Sequence, residues 1–364
     1  MELLRFSMQH FRNLREQEMI PSTGMNVIFG ENAQGKTNLL EAIFVLSTLR
    51  SFRTRHLPEA LQFGEVSAFL QGTVQSGHAK HAMTVSFHEG ERVAILDRKK
   101  AEPLHYLGRF NVFLFSYSLL EVIRGGPEER RKFIDRSIAM TRPGYLAELV
   151  QYHRSLKQKN ALLSLLQRGQ MNRKEGMEEI RSFNQQLLQH GLEVVRHRLA
   201  YLNQIQELLR RKKQLFFDEN VMLAAELRSS FLVPAGEIEQ NLERNMEREI
   251  VRGICLLGVH RDEIRMTIDG RELRKFGSSG QHRAFLLLLV LAQLELYESW
   301  REDRPVLLLD DLDSELDRGR IRAFLEVVKG RYQTFISTSR HDLFAGDEQI
   351  RLYEIEGGKL LERS

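Results

Sequence analysis

The stretch Gly30-Glu31-Asn32-Ala33-Gln34-Gly35-Lys36-Thr37 decides the fold of this 364-residue chain. It fits the pattern G-x-x-x-x-G-K-[ST], the phosphate-binding P-loop. An apolar, β-prone segment, residues 25–29, precedes it, and residues 38–46 follow with a helical pattern. A strand, a glycine-rich turn and a helix N-terminus form an anion site, because backbone N–H groups and the positive end of the helix dipole face the same point. The stretch therefore predicts an α/β P-loop fold that binds a nucleoside triphosphate with magnesium.

The P-loop pattern assigns a role to individual positions. Gly30 and Gly35 permit backbone conformations and close approach that a Cβ atom would block. Lys36 is placed to reach the β- and γ-phosphates of ATP, and the Thr37 hydroxyl to bind Mg²⁺. The predicted ATP contacts are the residues of the loop and the start of its helix, namely Gly30, Glu31, Asn32, Ala33, Gln34, Gly35, Lys36, Thr37 and Asn38.

A second apolar segment, residues 305–309, ends in two acids. Such a run is typical of a strand buried on both faces. Asp310, at the end of that strand, is predicted to bind Mg²⁺ together with Thr37, and Asp311 to orient or deprotonate the attacking water. Lys36 and Asp310 are 274 residues apart. This separation predicts a large insertion between two halves of one ATP-binding fold and counts against a P-loop kinase or GTPase acting on a small substrate.

Residues 276–283, FGSSGQHR, precede a long apolar helical pattern. Ser278 or Ser279 is a good helix N-cap. The stretch resembles the signature of ABC ATPases, L-S-G-G-Q, with Ser278, Gly280 and Gln281 at matching places. In that superfamily the signature completes the ATP site of a second subunit. The resemblance therefore implies an ATP-dependent homodimer in which Ser278 and a helix N-terminus face the γ-phosphate bound by the other copy.

Two further segments are similar to parts of the same superfamily. Residues 314–317, SELD, resemble the D-loop, which lies along the dimer seam. Residues 333–339 are predicted to form the next strand, which ends in hydroxyls where many ABC ATPases carry a γ-phosphate-sensing histidine. Thr338 is the first candidate for this sensor, and His341 follows slightly later.

Composition limits the class of protein. The longest apolar run is nine residues, 284–292, too short to span a bilayer, and the N-terminus lacks a signal-peptide layout. The single cysteine, Cys255, excludes an internal disulfide framework. We expect a cytoplasmic protein that does not bind a membrane. The net charge of +4 permits a polyanionic partner without requiring one.

Taken together, the ATP motifs and several other segments resemble the RecF family of bacterial recombination mediators, which is related to the SMC and Rad50 ATPase heads. The other segments are residues 11–13 (FRN), 51–54 (SFRT), 125–131 (GGPEERR), 152–154 (YHR) with Asn160, and 258–262 (GVHRD). The resemblance covers essentially the whole chain. It implies an α/β ABC-type P-loop ATPase head, residues 1–127 and 251–364, with an inserted α-helical arm, residues 128–250.

The resemblance also implies an activity. ATP would drive dimerisation of the heads on DNA, and a weak, DNA-stimulated hydrolysis would trigger release. It implies action on gapped duplex or single-strand/double-strand junctions, together with RecR and RecO, to promote RecA loading. Two alternatives stay open, a small-molecule P-loop kinase and a DNA-binding scaffold with a vestigial ATPase.

The inserted segment, residues 128–249, has a helical pattern, because apolar residues recur mostly at three- and four-residue steps. Residues 170–175 are predicted to form a polar turn between two of its helices. Basic clusters occur at residues 50–55, 98–100, 196–198 and 210–213, and each is either a solvated face or a DNA contact. The residues His260, Arg261 and Asp262 either contact nucleotide or DNA or form a buried ion-pair corner.

Overall fold

A computed structural model of the chain describes residues 1–54, 56–88, 91–312, 318–340, 344 and 350–363. The chain divides into two compact units. The first unit comprises Met1–Leu120, Lys212–Glu219 and Ser278–Ser364, and the second comprises Glu121–Arg211 and Asn220–Gly277. The second unit thus extends beyond the arm that we expect from the sequence, residues 128–250, on both sides.

Fifteen strands and ten helices are defined within the described residues. In chain order they are β1 (Glu2–Gln9), β2 (Gln17–Met19), β3 (Met25–Phe29), α1 (Lys36–Thr48), β4 (Ser67–Ser76), β5 (Ala79–His88), β6 (Glu91–Leu96), β7 (Lys99–Lys100), α2 (Pro103–Tyr106), β8 (Val112–Phe115), α3 (Glu121–Arg124), α4 (Pro127–Thr141), α5 (Pro143–Gln167), α6 (Arg173–Lys212), β9 (Leu223–Arg228), α7 (Ala235–Arg252), β10 (Glu263–Ile268), β11 (Arg271–Glu272), α8 (Leu273–Phe276), α9 (Ser279–Arg301), β12 (Val306–Leu309), α10 (Arg318–Val328), β13 (Thr334–Thr338), β14 (Ile350–Glu356) and β15 (Lys359–Arg363).

The nucleotide motifs belong to a six-stranded sheet in the first unit, with the order β15-β14-β3-β13-β12-β8. Its strands are parallel except for β15 at one edge. The predicted strands before the P-loop and before Asp310 are both confirmed, as β3 and β12, and β13 lies between them. Ligands of open α/β sheets bind at the carboxyl ends of parallel strands. This order therefore brings the P-loop, Asp310 and Thr338 to one edge of the sheet.

A second sheet of the first unit is antiparallel, with the order β2-β1-β4-β5-β6-β7. One face is apolar, as the buried residues Ala68, Leu70 and Val74 of β4 show. Helix α1 contacts β4 and β5 of this sheet and also β8 and β13 of the parallel sheet. Burial between two sheets explains why the helix after the P-loop is apolar on nearly all sides.

The second unit combines helices α3 to α8 with a three-stranded antiparallel sheet, order β11-β10-β9. The prediction that residues 128–249 are helical throughout is wrong at β9, which pairs with β10 outside that segment. The predicted turn at 170–175 is too long, since α6 already begins at Arg173. Gly176 lies inside α6, where a Cβ atom would stand 2.5 Å from Leu166 Cδ2. Close packing of α6 against α5, and not a turn, explains that glycine.

Among the described residues, no helix has the length and apolar character that a membrane span requires.

Candidate nucleotide site

The P-loop needs glycine at two points. Gly30 has φ +148° and Gly35 has φ +122°, values that residues with a Cβ atom rarely adopt. A Cβ atom on Gly30 would lie 2.4 Å from the carbonyl oxygen of Ile355, and one on Gly35 would lie 3.0 Å from Asn13 Oδ1. Backbone strain and close packing therefore both exclude larger residues from the two ends of the loop.

Lys36 begins α1, and its side chain folds back over the loop. Its Nζ donates hydrogen bonds to the carbonyl oxygens of Gly30, at 2.7 Å, and Glu31, at 2.9 Å. The side chain is buried. An ammonium group has three donors in a flexible arrangement, so a phosphate oxygen at the loop is able to join or replace these carbonyls. The lysine is thus held where a phosphate-binding loop needs its positive charge.

Asp310 is the centre of a polar cluster at the end of β12. Its Oδ1 accepts hydrogen bonds from Thr37 Oγ1, at 2.9 Å, and from Ser337 Oγ, at 2.7 Å. Ser337 Oγ also accepts a hydrogen bond from the backbone N–H of Asp311, at 2.8 Å. Burial raises the pKa of Asp310, and the bonds from Ser337 and Thr37 oppose that rise. The structure thus joins the two predicted metal-binding residues, while Ser337, to which the sequence interpretation gave no role, is a direct partner of Asp310.

This cluster has the donor set that Mg²⁺ prefers. Mg²⁺ takes oxygen ligands and is usually bound by one or two protein groups together with phosphate oxygens and water. The hydroxyl of Thr37 and the carboxylate of Asp310 are such oxygens, 2.9 Å apart. A cation beside the buried Asp310 would also offset the cost of its ionisation. The residues present therefore fit a magnesium site.

Asp311 and Thr338 lie at the same edge of the sheet. Asp311 has φ +54°, a left-handed conformation that is uncommon for a residue other than glycine. Thr338 is fully buried at the end of β13, and its Oγ1 accepts a hydrogen bond from the backbone N–H of Arg340 at 2.9 Å. The predicted roles of Asp311 with water and of Thr338 with the γ-phosphate remain predictions. The D-loop resemblance at 314–317 and His341 lie outside the described residues.

A fully buried acid, Glu41, organises one side of α1. It accepts hydrogen bonds from Arg12 Nε, at 3.0 Å, and Arg12 Nη2, at 2.7 Å, and also from Ser51 Oγ. Arg53 lies 3.5 Å away as a second cation. The FRN and SFRT segments therefore meet at one carboxylate on the P-loop helix. An acid within an otherwise apolar helical pattern was the signal that sequence interpretation missed, because buried acids are almost always paired.

Asn38 connects this cluster to the P-loop. Its Oδ1 accepts a hydrogen bond from Arg53 Nη1, and its Nδ2 donates to Asn13 Oδ1 at 2.6 Å. Asn13 Nδ2 in turn donates to the carbonyl oxygen of Ala33 at 3.2 Å. Asn38 thus supports the loop through side-chain hydrogen bonds, and its contact with ATP remains a prediction.

The signature segment forms the predicted helix start. Ser278 is the N-cap of α9, and its Oγ accepts a hydrogen bond from the backbone N–H of Gln281 at 3.2 Å. Gln281 Oε1 accepts one from the backbone N–H of Ser278 at 2.8 Å, which completes a capping box. In the described part of the chain, these two side chains bond to each other's backbone and not to the P-loop. Gly280 lies between them, and Ser278 is exposed.

The turn between β14 and β15 packs on the P-loop. The N–H of Gly357 donates to Gln34 Oε1, at 2.6 Å, and the N–H of Gly358 donates to the carbonyl oxygen of Gln34, at 3.1 Å. Both glycines have positive φ, as two-residue hairpin turns require. Gln34, a predicted ATP contact, therefore anchors the loop to this turn.

A matched pair of substitutions tests this packing. A Cβ atom on Gly358 would lie 1.9 Å from the carbonyl oxygen of Asn13, whereas one on Gly357 meets only Arg15 Nη2 at 3.7 Å. Both variants carry the strain of alanine in the left-handed region, about 1 kcal/mol. We expect Gly358→Ala to cost at least about 2 kcal/mol more than Gly357→Ala in the free energy of unfolding, because backbone must move. Urea unfolding measures both, and equal losses would contradict the packing described.

Comparison with known proteins gives a consistent picture. Residues 2–359 match the family model described as RecF/RecN/SMC N terminal domain. The chain is 36% identical over 377 residues to the DNA replication and repair protein RecF of Citrifermentans bemidjiense. It is 34% identical over 369 residues to the protein of the same name from Streptococcus suis. Both alignments cover 100% of each chain.

Solved structures agree with these matches. The recombination mediator protein RecF with ATP, from the RecFOR pathway, superposes with a TM-score of 0.90 at 29% identity, covering 100% of this chain and 97% of that chain. The Smc head domain of Pyrococcus furiosus, bound to the C-terminal domain of ScpA, superposes with a TM-score of 0.55 at 15% identity, which shows the fold alone. The predicted α/β ABC-type ATPase head is thereby confirmed.

Proposed function

The chain belongs to the RecF family, and from that premise we propose that it is an ATP-binding protein of DNA repair and recombination that hydrolyses ATP as a switch. The observation that carries the proposal is the hydrogen bond between Thr37 Oγ1 and Asp310 Oδ1, at 2.9 Å. It joins the P-loop helix to the end of β12 across 273 positions of sequence. These two oxygens and the ammonium of Lys36 are the groups that phosphoryl transfer from ATP requires.

Each residue has a part in hydrolysis. Lys36 binds the β- and γ-phosphates from its place over the loop, and the backbone of residues 30–37 binds their oxygens. Thr37 and Asp310 would hold Mg²⁺, which would supply positive charge to neutralise the phosphates. Asp311 orients the attacking water, and Thr338 senses the γ-phosphate from the neighbouring strand. Burial raises the pKa of Asp310, its two hydroxyl donors oppose that rise, and a cation bound there would favour the ionised form.

The second half of the site comes from another copy of the chain. The capping box fixes the N-terminus of α9, and Ser278 is exposed there. Unpaired N–H groups at a helix N-terminus favour an anion. Ser278, Gly280 and Gln281 then face the γ-phosphate held by the partner, so that ATP joins two heads and hydrolysis separates them. The joined heads hold DNA at single-strand gaps, where RecR and RecO act with them to promote RecA loading.

Ser278→Arg is expected to abolish ATP-dependent dimerisation, because a long cationic side chain replaces a small hydroxyl at the proposed contact with the other copy. Sedimentation velocity with and without ATP measures the result. Ser299→Arg is the matched control, since it places the same side chain at an exposed site near the other end of α9. We expect the wild type and Ser299→Arg to dimerise with ATP. Dimerisation of Ser278→Arg to the same extent would contradict the proposed interface.

Steady-state ATPase assays test the function itself. We expect gapped duplex DNA to raise the turnover number of the wild type, with no requirement for a small acceptor. Turnover that needs an acceptor metabolite and ignores DNA would identify a kinase instead. DNA binding without any turnover would identify a scaffold, although intact Lys36, Asp310 and Asp311 argue against that outcome.

A further inference from the structure

Three segments of the sequence resemblance meet in the second unit, and the proposed ATP site uses none of them. They are residues 125–131, 152–154 and 258–262. They provide Arg131 from α4, His153 from α5, and Arg261 from the single helical turn Val259–Arg261. Because separate parts of the chain converge here, the cluster calls for an explanation of its own.

The acids of these elements point inward to one buried arginine. Arg198 of α6 is 1% exposed. Its Nε and Nη2 donate to the two oxygens of Asp135, each at 2.8 Å, and its Nη1 donates to Asp262 Oδ2 and to the carbonyl oxygen of Val259, each at 2.7 Å. This network ties α4, α6 and the turn together. For Asp262, the ion-pair corner is therefore the correct alternative of the two left open by the sequence.

The two remaining arginines are held by backbone and not by carboxylates. Arg131 Nη1 donates to the carbonyl oxygen of Asp262, at 2.6 Å, and Arg261 Nη2 donates to that of Cys255, at 3.2 Å. Within the part of the chain that the structure describes, neither guanidinium forms an ion pair with a carboxylate. Carbonyl contacts orient these cations. Asp262, Asp135 and Glu128 act on Arg131 through their charge and compensate it in part, whereas Arg261 is exposed.

Two histidines, His153 and His260, lie beside these arginines. Tyr152 OH is hydrogen-bonded to His260 Nδ1, at 2.7 Å, and the rings of Tyr152 and His153 are 5.8 Å apart between centroids. Burial, together with the charges of Arg261, Arg131 and His153, lowers the pKa of His260 to about 4, although the hydrogen bond with the Cys255 carbonyl opposes the shift. His153 is exposed but partly desolvated by its neighbours, which lowers its pKa; Arg198 and Arg131 lower it too, and Asp135 opposes them.

We propose that Arg131, His153 and Arg261 form a binding surface for the phosphate backbone of DNA. The proposal rests on the proposed function in that it supplies the DNA contact of the same protein. Arginine forks match phosphate oxygens in a bidentate manner, and an imidazole N–H adds a neutral donor. His153 and Arg261 are exposed, which suits a polymer lying along the surface. Contacts of this kind give salt-dependent affinity without sequence preference.

Two of the basic clusters that stand out in the sequence, residues 196–198 and 210–213, are weaker candidates. Arg198 of the 196–198 cluster is buried in the ion-pair network. Other cluster members are paired with acids, namely Arg196 with Glu193, Arg210 with Glu207, and Lys212 with Glu295. The residues of the proposed surface are instead far apart in sequence, and the fold brings them together.

The test measures the affinity for fluorescently labelled gapped duplex by anisotropy, with ATP present, over a series of salt concentrations. At about 0.1 M salt we expect Arg261→Ala to weaken binding about tenfold and to reduce the slope of log K against log salt by about one unit. Arg261→Lys keeps the charge and is expected to retain most of the affinity. The matched control is Arg244→Ala, which removes an exposed arginine from α7 of the same unit, and its affinity is expected to equal that of the wild type.

A second variant shows whether any loss of binding by Arg261→Ala comes from a folding defect. His153→Glu replaces a neutral donor with a negative charge at an exposed position and is expected to weaken binding about tenfold as well. The surface is overturned if both variants bind like the wild type, or if Arg244→Ala loses as much affinity as they do. A wild type that fails to bind duplex DNA overturns the proposed function instead. The two failures are therefore distinguishable.

Discussion

Replacing Lys36 with arginine is expected to lower the turnover number for ATP by about 10²- to 10³-fold, while nucleotide remains bound. Nζ of Lys36 is held by the carbonyl oxygens of Gly30 and Glu31 at 2.7 and 2.9 Å. A planar guanidinium on a longer side chain cannot place its charge at that point. The variant thus keeps a cation for binding and loses the geometry that stabilises charge on the transferred phosphoryl group.

Two assays separate these effects. Steady-state hydrolysis reports the turnover number, and titration with a fluorescent ATP analogue reports binding. Lys359→Arg, at an exposed position of β15 in the same unit, is the control and is expected to behave as the wild type. Turnover of Lys36→Arg at the wild-type rate would remove the P-loop lysine from the proposed mechanism.

Arg198→Met is expected to lower the free energy of unfolding of the second unit by about 3–5 kcal/mol, because it leaves two buried carboxylates without their cation. Asp135 and Asp262 are 8% and 1% exposed. Methionine fills a comparable length, so that loss of charge and not loss of volume dominates. Urea unfolding followed by circular dichroism measures the change. Arg196→Met, at an exposed position two residues earlier on α6, is expected to change stability by less than about 0.5 kcal/mol.

The pH dependence of the stability of Arg198→Met tests whether unpaired carboxylates cause the loss. Burial already raises the pKa of Asp262 although Arg198 opposes the rise. Without the arginine, the folded-state pKa of Asp262 lies further above its unfolded value, so folding of the variant is favoured below that unfolded value and disfavoured as pH rises. The difference between Arg198→Met and the wild type is therefore expected to narrow from about pH 7 to about pH 4. A difference that is independent of pH would point to packing instead.

Features that depend on neighbours in sequence were predictable. The strand, glycine turn and helix around Lys36 follow each other directly, and so do the apolar strand and Asp310. Ser278 and Gln281 stand three residues apart, which is the spacing of a capping box, and both caps are present. In each case the residues that determine the structure lie within a few positions of one another.

Features that depend on distant partners were not predictable. Strand β9 was assigned to a helix because its partner, β10, begins 35 residues after β9 ends. Glu41 had no assigned role because the arginines and the serine that hold it lie in other segments. Arg198 belonged to a basic cluster in sequence, yet the fold places it between Asp135 and Asp262. The local hydrophobic pattern predicts which positions of an element are buried, but it does not predict which charged residues pair in the interior.

A mixing experiment tests most directly whether the ATP site is divided between two copies. Lys36→Arg and Ser278→Ala proteins each carry a defect in a different half of the proposed site, and each is expected to hydrolyse ATP poorly alone. Half of the dimers in an equal mixture contain one of each, and every such dimer has one intact site. If the site is divided in this way, mixing restores up to about a quarter of the wild-type activity per site. Activity no higher than the average of the two separate proteins would contradict it.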